Sequence, residues 1–335
     1  MVSSNSLTMR APEKPSGRCE RRERSLRMQS KRKHVILVVV FLILLLIGCS
    51  PASPSPTTAP VPEATQPADP PTPAPDFAAQ VRNAQYQLGL PDSLRVVQLA
   101  DGKFEEGAPG GADYVSVTVT EFMARGDLNS DGVDEVAALV AENYGGTGVF
   151  VFVVVYAEVN GALVYQTSAL VDDRPMLDAL RIENGEIFLE AVTHGFEDPA
   201  CCPALKNTRH YRWANGQLIM TDYTTFTPDG RPRTITIESP LNGMEVFSSV
   251  QIKGNVAIAP FENNLAYRIY DVGGVELSAG PVAVTAADLG APGTFDSVIN
   301  LGGLLSGATI RIEIQDISAA DGSLFAMDSV ELVVK

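Results

Sequence analysis

The chain has 335 residues and carries 25 Lys or Arg against 40 Asp or Glu, a formal net charge of −15 at pH 7. Ten of the basic and three of the acidic residues precede position 34, so the rest of the chain holds 15 basic and 37 acidic residues, a net charge of about −22. A surface this acidic repels nucleic acid and anionic lipid, and its plausible charged partners are cations, especially divalent ones.

The first 48 residues combine a basic arm with an apolar run. Residues 1–33 have no apolar periodicity, and residues 35–47 are 13 consecutive residues without charge or proline, which lead into Leu46-Ile47-Gly48-Cys49. A helix that spans the hydrocarbon core needs about 20 residues, so this run is short for a permanent span. A start at Met28 leaves a compact basic segment before the run. We therefore expect Met28 to be the true first residue and residues 1–27 not to be translated.

These features resemble a bacterial lipoprotein signal peptide with its lipobox. The resemblance implies cleavage before Cys49 and attachment of lipid, including palmitate, to the Cys49 thiol. The protein is then anchored to the bacterial cell membrane on its extracytoplasmic face. The alternative is an uncleaved anchor whose ends reach the interface, in which case Cys49 is incidental.

A spacer separates this signal from the folded part. Residues 50–75 are almost wholly Pro, Ser, Thr and Ala, a composition that cannot bury a core and that tends toward extended chain at about 3.1 Å per residue. About 260 residues follow, which is enough for two domains of typical size. We divide the chain into the signal at 1–48, the lipidated cysteine and linker at 49–75, and folded regions at 76–232 and 233–335.

The region 76–232 is predicted to be an antiparallel meander with one packed helix, an α+β arrangement. An acidic cap and helical apolar spacing predict a helix over 76–90. The turn pairs Asn160-Gly161, Asn184-Gly185 and Asn215-Gly216 predict two-residue hairpins, because both central positions need positive φ. Strand-like segments occupy 94–99, 114–122, 136–140, 149–158, 162–169, 179–182, 187–192 and 210–213.

One loop in the meander has the spacing of a calcium site. Oxygen donors at positions one, three, five and nine, a carbonyl at seven and a glycine at six can surround a cation of calcium's size. The predicted ligands of one Ca²⁺ ion are Asp127, Asn129, Asp131, Val133 and Glu135. Position twelve, where a helix-loop-helix site has a bidentate Glu, is Ala138, so an EF-hand is not expected.

This loop resembles the calcium loops of FG-GAP and related extracellular repeats, which also have the pattern Asp-x-Asn-x-Asp-Gly-x-x-acid. The resemblance covers about a dozen residues of one copy and does not imply a propeller. The alternative is a solvated hairpin turn held by hydrogen bonds from the backbone to Asp and Asn side chains.

Cys201 and Cys202 are the two cysteines of the folded regions, and they are adjacent. Structural zinc sites usually separate paired cysteines by two to four residues, so we favour a redox-inert disulfide or buried thiols over a zinc or copper site. Ordinary disulfides need Cα atoms at least about 4.4 Å apart, so we expect a distorted or cis bond between the two residues if they are bridged.

The stretch from Gly126 to about Trp213 resembles an uncharacterised module of bacterial lipoproteins. The residues that carry this resemblance are the Asp-Leu-Asn-x-Asp-Gly loop, the strand end Val192-Thr193-His194-Gly195 and the sequence Asp198-Pro199-Ala200-Cys201-Cys202-Pro203. The resemblance implies an exported domain and no activity.

The region 233–335 alternates apolar and polar residues with period two and lacks helical periodicity, which predicts a small β-sandwich. Its strand-like segments are 234–237, 250–256, 265–270, 295–299, 310–314 and 329–334. The segments at 237–243, 250–256 and 261–271 resemble the immunoglobulin-like domain of bacterial spore germination proteins. That resemblance implies an exported β-sandwich of germination and cell-envelope proteins, without known catalytic residues.

No nucleophile elbow, zinc-protease helix motif or phosphate loop is present in the sequence. We therefore expect a non-catalytic envelope lipoprotein that binds or scaffolds an envelope protein or polysaccharide, with an association to germination. The competing hypothesis is a metal-dependent envelope hydrolase that uses the 127–135 loop or the Cys201–Cys202 region. A cleft that gathers Asp127, Glu135 and His194 would favour it. A third possibility is a purely structural spacer.

Overall fold

The structure is a computed structural model, and it describes residues 76–90 and 94–335. The predicted signal, Cys49 and the linker lie outside the described residues. Within the described ranges, no helix has the length and apolar character needed to cross a membrane. The fold class is mainly β, as predicted from the alternating apolar pattern.

One short helix, one 3₁₀ turn and a series of strands make up the described chain, and the strands pair antiparallel except for Glu245–Val246, which pairs parallel with Leu324–Val334. Helix α1 spans Phe77–Arg82 and a single 3₁₀ turn spans Phe261–Asn263. The strands in chain order are β1 Gln85–Gln87, β2 Val96–Gln98, β3 Lys103–Glu106, β4 Val115–Gly126, β5 Glu135–Asn143, β6 Phe150–Val159, β7 Ala162–Asp173, β8 Met176–Glu183, β9 Glu186–Thr193, β10 Leu205–Ala214, β11 Gln217–Thr225, β12 Ile235–Ser239, β13 Glu245–Val246, β14 Ser249–Val256, β15 Asn264–Asp271, β16 Glu276–Ala286, β17 Gly293–Asn300, β18 Thr309–Ile317 and β19 Leu324–Val334.

The helix is shorter than the sequence predicts. Asp76 caps it as expected, because its Oδ1 accepts hydrogen bonds from the amides of Ala78 and Ala79 at 3.0 and 3.3 Å. After Arg82 the chain turns into β1, which pairs with β2. Ala84, Tyr86 and Leu88 are buried at every second position, which is the period of a strand. Ala84 and Leu88 also fit the helical period, so the sequence pattern does not distinguish the two structures, and the strand forms.

Strands β3 to β7 form a five-stranded antiparallel sheet in sequence order. Its central strands β5 and β6 are buried on both faces, which explains their almost continuous apolar sequence. Residues Val136, Ala138 and Val140 of β5 pack toward α1 and the β1–β2 hairpin. The alternate residues Ala137 and Leu139 pack toward Ile187, Leu189 and Tyr211 of the next sheet.

Strands β8 to β11 form the second layer as a meander of hairpins. The three Asn-Gly turns adopt the predicted conformation: φ is +53° and +82° at Asn160-Gly161, +54° and +80° at Asn184-Gly185, and +53° and +73° at Asn215-Gly216. These positive values match the right-handed twist of the flanking strands. The hairpin predictions for this region are confirmed.

Residues from β12 onward form the predicted sandwich. One sheet contains β12, β14 and β17, the other contains β15, β18, β19 and the short β13, and β16 pairs with both β15 and β17. The core between them is aliphatic apart from Phe295, and its fully buried members include Ile252, Leu332 and Val282. Strand β16 is not predicted from the sequence, because Gly280 and Pro281 interrupt its alternation.

The two regions share a sheet. Residues Asp222, Tyr223 and Thr224 of β11 pair antiparallel with Asp328, Met327 and Ala326 of β19. Two side chains add hydrogen bonds across this junction: the Thr225 hydroxyl donates to the Phe325 carbonyl at 2.6 Å, and the Ser329 hydroxyl donates to the Thr221 carbonyl at 2.9 Å. The sheet therefore continues from β8 into the sandwich, through the predicted 232/233 boundary.

A buried carboxylate ties the β1–β2 hairpin to the five-stranded sheet. Glu142 is fully buried, and its oxygens accept hydrogen bonds from the Tyr86 hydroxyl, from the Gly89 amide at 2.8 Å and from the Tyr144 hydroxyl at 2.6 Å. Burial, together with the charge of Glu142, raises the pKa of Tyr86 above its ordinary range. Each oxygen of this carboxylate is thus satisfied without water.

Replacing Tyr86 by Phe should lower the free energy of unfolding by about 1–3 kcal/mol, because it removes a donor from a buried carboxylate. The matched control is Tyr114→Phe, since the Tyr114 hydroxyl makes an exposed bond to Glu105 and its loss should cost less than about 0.5 kcal/mol. Urea denaturation followed by the fluorescence of Trp213 measures both. Equal losses in the two variants would contradict the anchoring role of Glu142.

Candidate functional site

The loop at 127–135 connects β4 to β5, and the Asp127 carboxylate is its central acceptor. Asp127 Oδ1 accepts from the amides of Asn129 and Ser130 at 3.2 and 2.6 Å, and Oδ2 accepts from the Gly132 amide at 2.9 Å. Gly132 has φ of +84°, so the glycine at position six makes the tight turn as predicted. Hydrogen bonds from these amides, with that of Gly132 first, lower the pKa of Asp127.

Glu135 closes the same loop from inside the protein. It is 2% exposed, its Oε2 accepts from the Leu128 amide at 2.8 Å, and its Oε1 accepts from the Asn129 side-chain amide at 3.0 Å. Burial raises the pKa of Glu135, and the charges of Asp131 and Asp127 add to that effect. The loop therefore keeps an acidic side chain buried among its own amides.

The predicted calcium ligands are directed toward loop amides in this structure. Asn129 Oδ1 accepts from the Asp131 amide at 2.9 Å, and Asp131 Oδ1 accepts from the Val133 amide at 2.7 Å. In the part of the chain that the structure describes, no three His, Cys, Asp or Glu side chains are grouped so that they could hold a metal ion. The geometry is that of a hairpin turn held by Asp and Asn side chains, and the calcium site stays a prediction.

The loop at 194–204 joins β9 to β10 and contains the adjacent cysteines. The structure links Cys201 to Cys202 by a disulfide, with a Cα–Cα distance of 3.8 Å. This distance is that of a trans peptide, so of the two expected alternatives, a distorted or a cis bond between the residues, the cis bond is not formed. Asp198 Oδ2 accepts from the amides of Gly195 and Ala204 at 2.8 Å each and holds the two ends of the loop together.

His194 is fixed at the start of this loop by Asp172 of β7. Asp172 Oδ2 accepts from the His194 backbone amide at 2.6 Å and lies 3.0 Å from the ring Nδ1, while Nε2 lies 3.2 Å from the Ala200 carbonyl oxygen. Partial burial lowers the pKa of His194, but the hydrogen bond and charge of Asp172 outweigh it and raise the pKa above its ordinary value. With both ring nitrogens in these contacts, His194 acts as a structural link between β7 and the loop.

The cavity that His194 lines does not include the acids of the 127–135 loop. The cavity of about 530 Å³ that His194 lines also contains Arg209, Tyr223 and Phe325, and its lining includes neither Asp127 nor Glu135. A cleft that gathers Asp127, Glu135 and His194 would favour a hydrolase, and the lining of this cavity contains only His194 of the three.

Sequence reasoning misses a polar cleft at the junction of the two regions. The cleft has a volume of about 520 Å³, and its ionisable lining consists of Glu186, His210, Arg212, Asp222, Asp328 and Glu331. The sequence gives only a weak signal for this cleft: Asp222 and Asp328 each lie inside a strand, but they are far apart in the sequence. Only the β11–β19 register brings them opposite each other.

The carboxylates of this cleft have different hydrogen bonds. Asp328 Oδ2 accepts from the Ile237 amide at 2.6 Å and Oδ1 from the Ser329 amide at 2.7 Å, so it holds β12 against β19. Glu186 Oε1 accepts from the Thr221 hydroxyl at 3.0 Å, and Oε2 lies 3.5 Å from His210 Nδ1. Burial and the charge of Asp328 raise the pKa of Asp222 to about 7, and burial raises that of Asp328 to about 6.

Comparison with known families agrees with the sandwich. Residues 234–323 match the family described as the immunoglobulin-like domain of bacterial spore germination. This match begins just before β12 and ends just before β19. Among curated proteins, none matches this chain in sequence. The resemblance of the C-terminal region to this domain is thus confirmed. The domain is not a catalytic family.

The disulfide can be tested by alkylation. We expect iodoacetamide to leave the peptide that contains Cys201 and Cys202 unmodified when the protein is denatured without reductant, because both sulfurs are bonded. After reduction the same peptide should gain two carbamidomethyl groups, which mass spectrometry measures. Two groups on the unreduced peptide would instead show free thiols.

Proposed function

We propose that the protein is a non-catalytic, membrane-anchored lipoprotein of the bacterial cell envelope that binds or scaffolds a partner outside the membrane. The observation that carries this proposal is the match of residues 234–323 to the germination-type immunoglobulin-like domain, on a region that folds as a sandwich. Folds of this kind are commonly interaction modules, and function on them depends on loops and exposed surfaces.

The anchor in this proposal is Cys49 with its lipid, followed by the spacer at 50–75. The N-terminal module of 76–232 is proposed to be an exported lipoprotein module, on the resemblance of its Asp-Leu-Asn-x-Asp-Gly and Asp-Pro-x-Cys-Cys-Pro sequences. A vicinal disulfide in that module suits an oxidising compartment and supports an extracytoplasmic location.

The proposed partner is an envelope protein or a wall polysaccharide, in a germination-related assembly if the sandwich keeps its family's association. The acidic composition disfavours nucleic acid and the anionic membrane surface as partners. A pull-down from detergent-solubilised cells, with the Cys49-anchored protein as bait, tests for such a partner. Recovery of no envelope component above a pull-down from cells that lack the protein would contradict it.

The competing proposal is a metal-dependent envelope hydrolase at the 127–135 loop or at Cys201–Cys202. Two contacts support the non-catalytic proposal instead. The carboxylates of Asp127 and Glu135 accept hydrogen bonds from loop amides, and the sulfurs of Cys201 and Cys202 are bonded to each other. A hydrolase would need one of these groups free to attack the substrate or to transfer a proton.

Lipid attachment predicts a specific labelling pattern. Cells fed labelled palmitate should incorporate it into the wild-type chain and lose that incorporation in Cys49→Ala, because the lipid is bonded to this sulfur. The matched control is Ser50→Ala, which changes the residue next to Cys49, leaves its thiol in place and should keep the label. Palmitate in Cys49→Ala at the wild-type level would contradict the lipoprotein proposal.

A calcium site at 127–135 is the second proposal, and its support is the donor spacing and the positive φ of Gly132. Calorimetry of the full-length protein in detergent should detect heat on adding millimolar calcium, since extracellular sites bind at about 10⁻⁴–10⁻³ M. The double variant Asp127→Asn, Asp131→Asn should lose that heat. Asp229→Asn, in an exposed turn where Asp229 pairs with Arg231, should keep it.

Absence of heat in the wild-type protein would contradict the calcium proposal and leave the hairpin-turn interpretation. The same result would leave the anchoring proposal untouched, because lipid attachment at Cys49 does not depend on the loop.

A further inference from the structure

The β11–β19 junction puts two carboxylates directly opposite each other. Asp222 and Asp328 are Cα partners in this antiparallel pairing, and both side chains line the same cleft. Directly opposed residues of an antiparallel pair have Cβ atoms about 4.5–5.5 Å apart, and like charges at that position destabilise the pairing. The sheet that joins the two regions is thus weakest when both groups are ionised.

The neighbours of this pair give a mixed but mainly acidic environment. His210 Nδ1 lies 3.5 Å from Glu186 Oε2, and Arg212 forms an ion pair with Glu331. The charged and titratable groups that face the pair or its partners come from β8, β9, β10 and β19, and they are Glu183, Glu186, His210, Arg212 and Glu331. When His210 is neutral, Arg212 alone among these groups carries positive charge.

We propose that the junction is a proton-sensitive joint, in which acidification tightens the β11–β19 pairing and a rise in pH loosens it. The geometric basis is the opposition of Asp222 and Asp328 on the few residues that join the two regions. The cleft beside the pairing gives water and protons access to both carboxyls. Loosening would free the sandwich to move relative to the β8–β11 sheet, and so change what the junction presents to a partner.

Over the neutral pH range, loss of a proton from Asp222, Asp328 or His210 lowers the stability of the junction in each case. The pKa values of Asp222 and Asp328 are raised, so their contribution to stability is full below the ordinary value of 3.8 and is lost as the pH rises through the raised values. The hydrogen bond to Glu186 raises the pKa of His210, so its contribution is present below 6.5 and is lost as the pH rises further.

Glu186 opposes this trend only at low pH. The hydrogen bond from His210 lowers its pKa, so the stability that Glu186 contributes is present above 4.5 and is lost as the pH falls through its lowered value. Between about pH 5 and pH 8 the junction therefore loses stability steadily as the pH rises.

Hydrogen exchange measured by mass spectrometry on the full-length protein in detergent tests the joint. Amide protection in β11 and β19, corrected for the intrinsic pH dependence of exchange, should fall at least about tenfold between about pH 5.5 and pH 8. The central strand β6 is the internal reference, because it is buried on both faces and should keep its protection.

The variant Asp222→Asn keeps the size of the side chain and removes the charge that appears at higher pH. It should reduce the loss of β11 and β19 protection between about pH 5.5 and pH 8, because Asp222 no longer contributes to that loss while Asp328 and His210 still do. The matched control is Asp178→Asn, an exposed position on β8 outside the cleft, which should behave as the wild type.

Three results would overturn the proposal: protection in wild-type β11 and β19 that is independent of pH, an undiminished pH dependence in Asp222→Asn, or the same loss of pH dependence in Asp178→Asn. The wild-type measurement decides on its own if the Asp222 variant does not fold.

Discussion

The architecture depends on a short strand pairing. Three residue pairs between β11 and β19, supported by the hydroxyls of Thr225 and Ser329, join the first region to the sandwich in a continuous sheet. The pairing buries backbone groups of both regions at a place where each would otherwise have an exposed sheet edge. It also brings Asp222 opposite Asp328 beside the polar cleft, so the contact that unites the regions contains two titratable carboxyl groups.

The acidity of the chain has a structural use apart from any ligand. Carboxylates accept hydrogen bonds from amides that no strand would satisfy: Asp76 caps α1, Asp127 holds the β4–β5 loop, Asp198 holds the cysteine loop and Asp271 holds the β15–β16 turn. Buried donors and acceptors need such partners, and short acidic side chains supply them within a turn. Part of the negative charge of the chain is therefore explained by the many turns of the fold. The acidic composition is thus not in itself evidence that the 127–135 loop binds calcium.

Much of the fold could be predicted from the sequence, because local signals specify it. Asn160-Gly161 and the two similar turns require positive φ at both positions, and alternating apolar residues place the strands that flank them. The length of α1 could not be predicted, since Leu88 fits both a helical and a strand period and tertiary burial decides between them. The cleft could not be predicted either, because the proximity of Asp222 and Asp328 depends on long-range register.

The most direct test of this account compares the unfolding of the two regions at about pH 5, below the range over which the junction is expected to loosen. Trp213 is the single tryptophan of the chain and reports on the first region, and hydrogen exchange of β14 and β17 in the same urea series reports on the sandwich. If the β11–β19 pairing unites them, both probes should change at the same urea concentration. Two separate midpoints, with the sandwich intact after Trp213 is exposed, would contradict it.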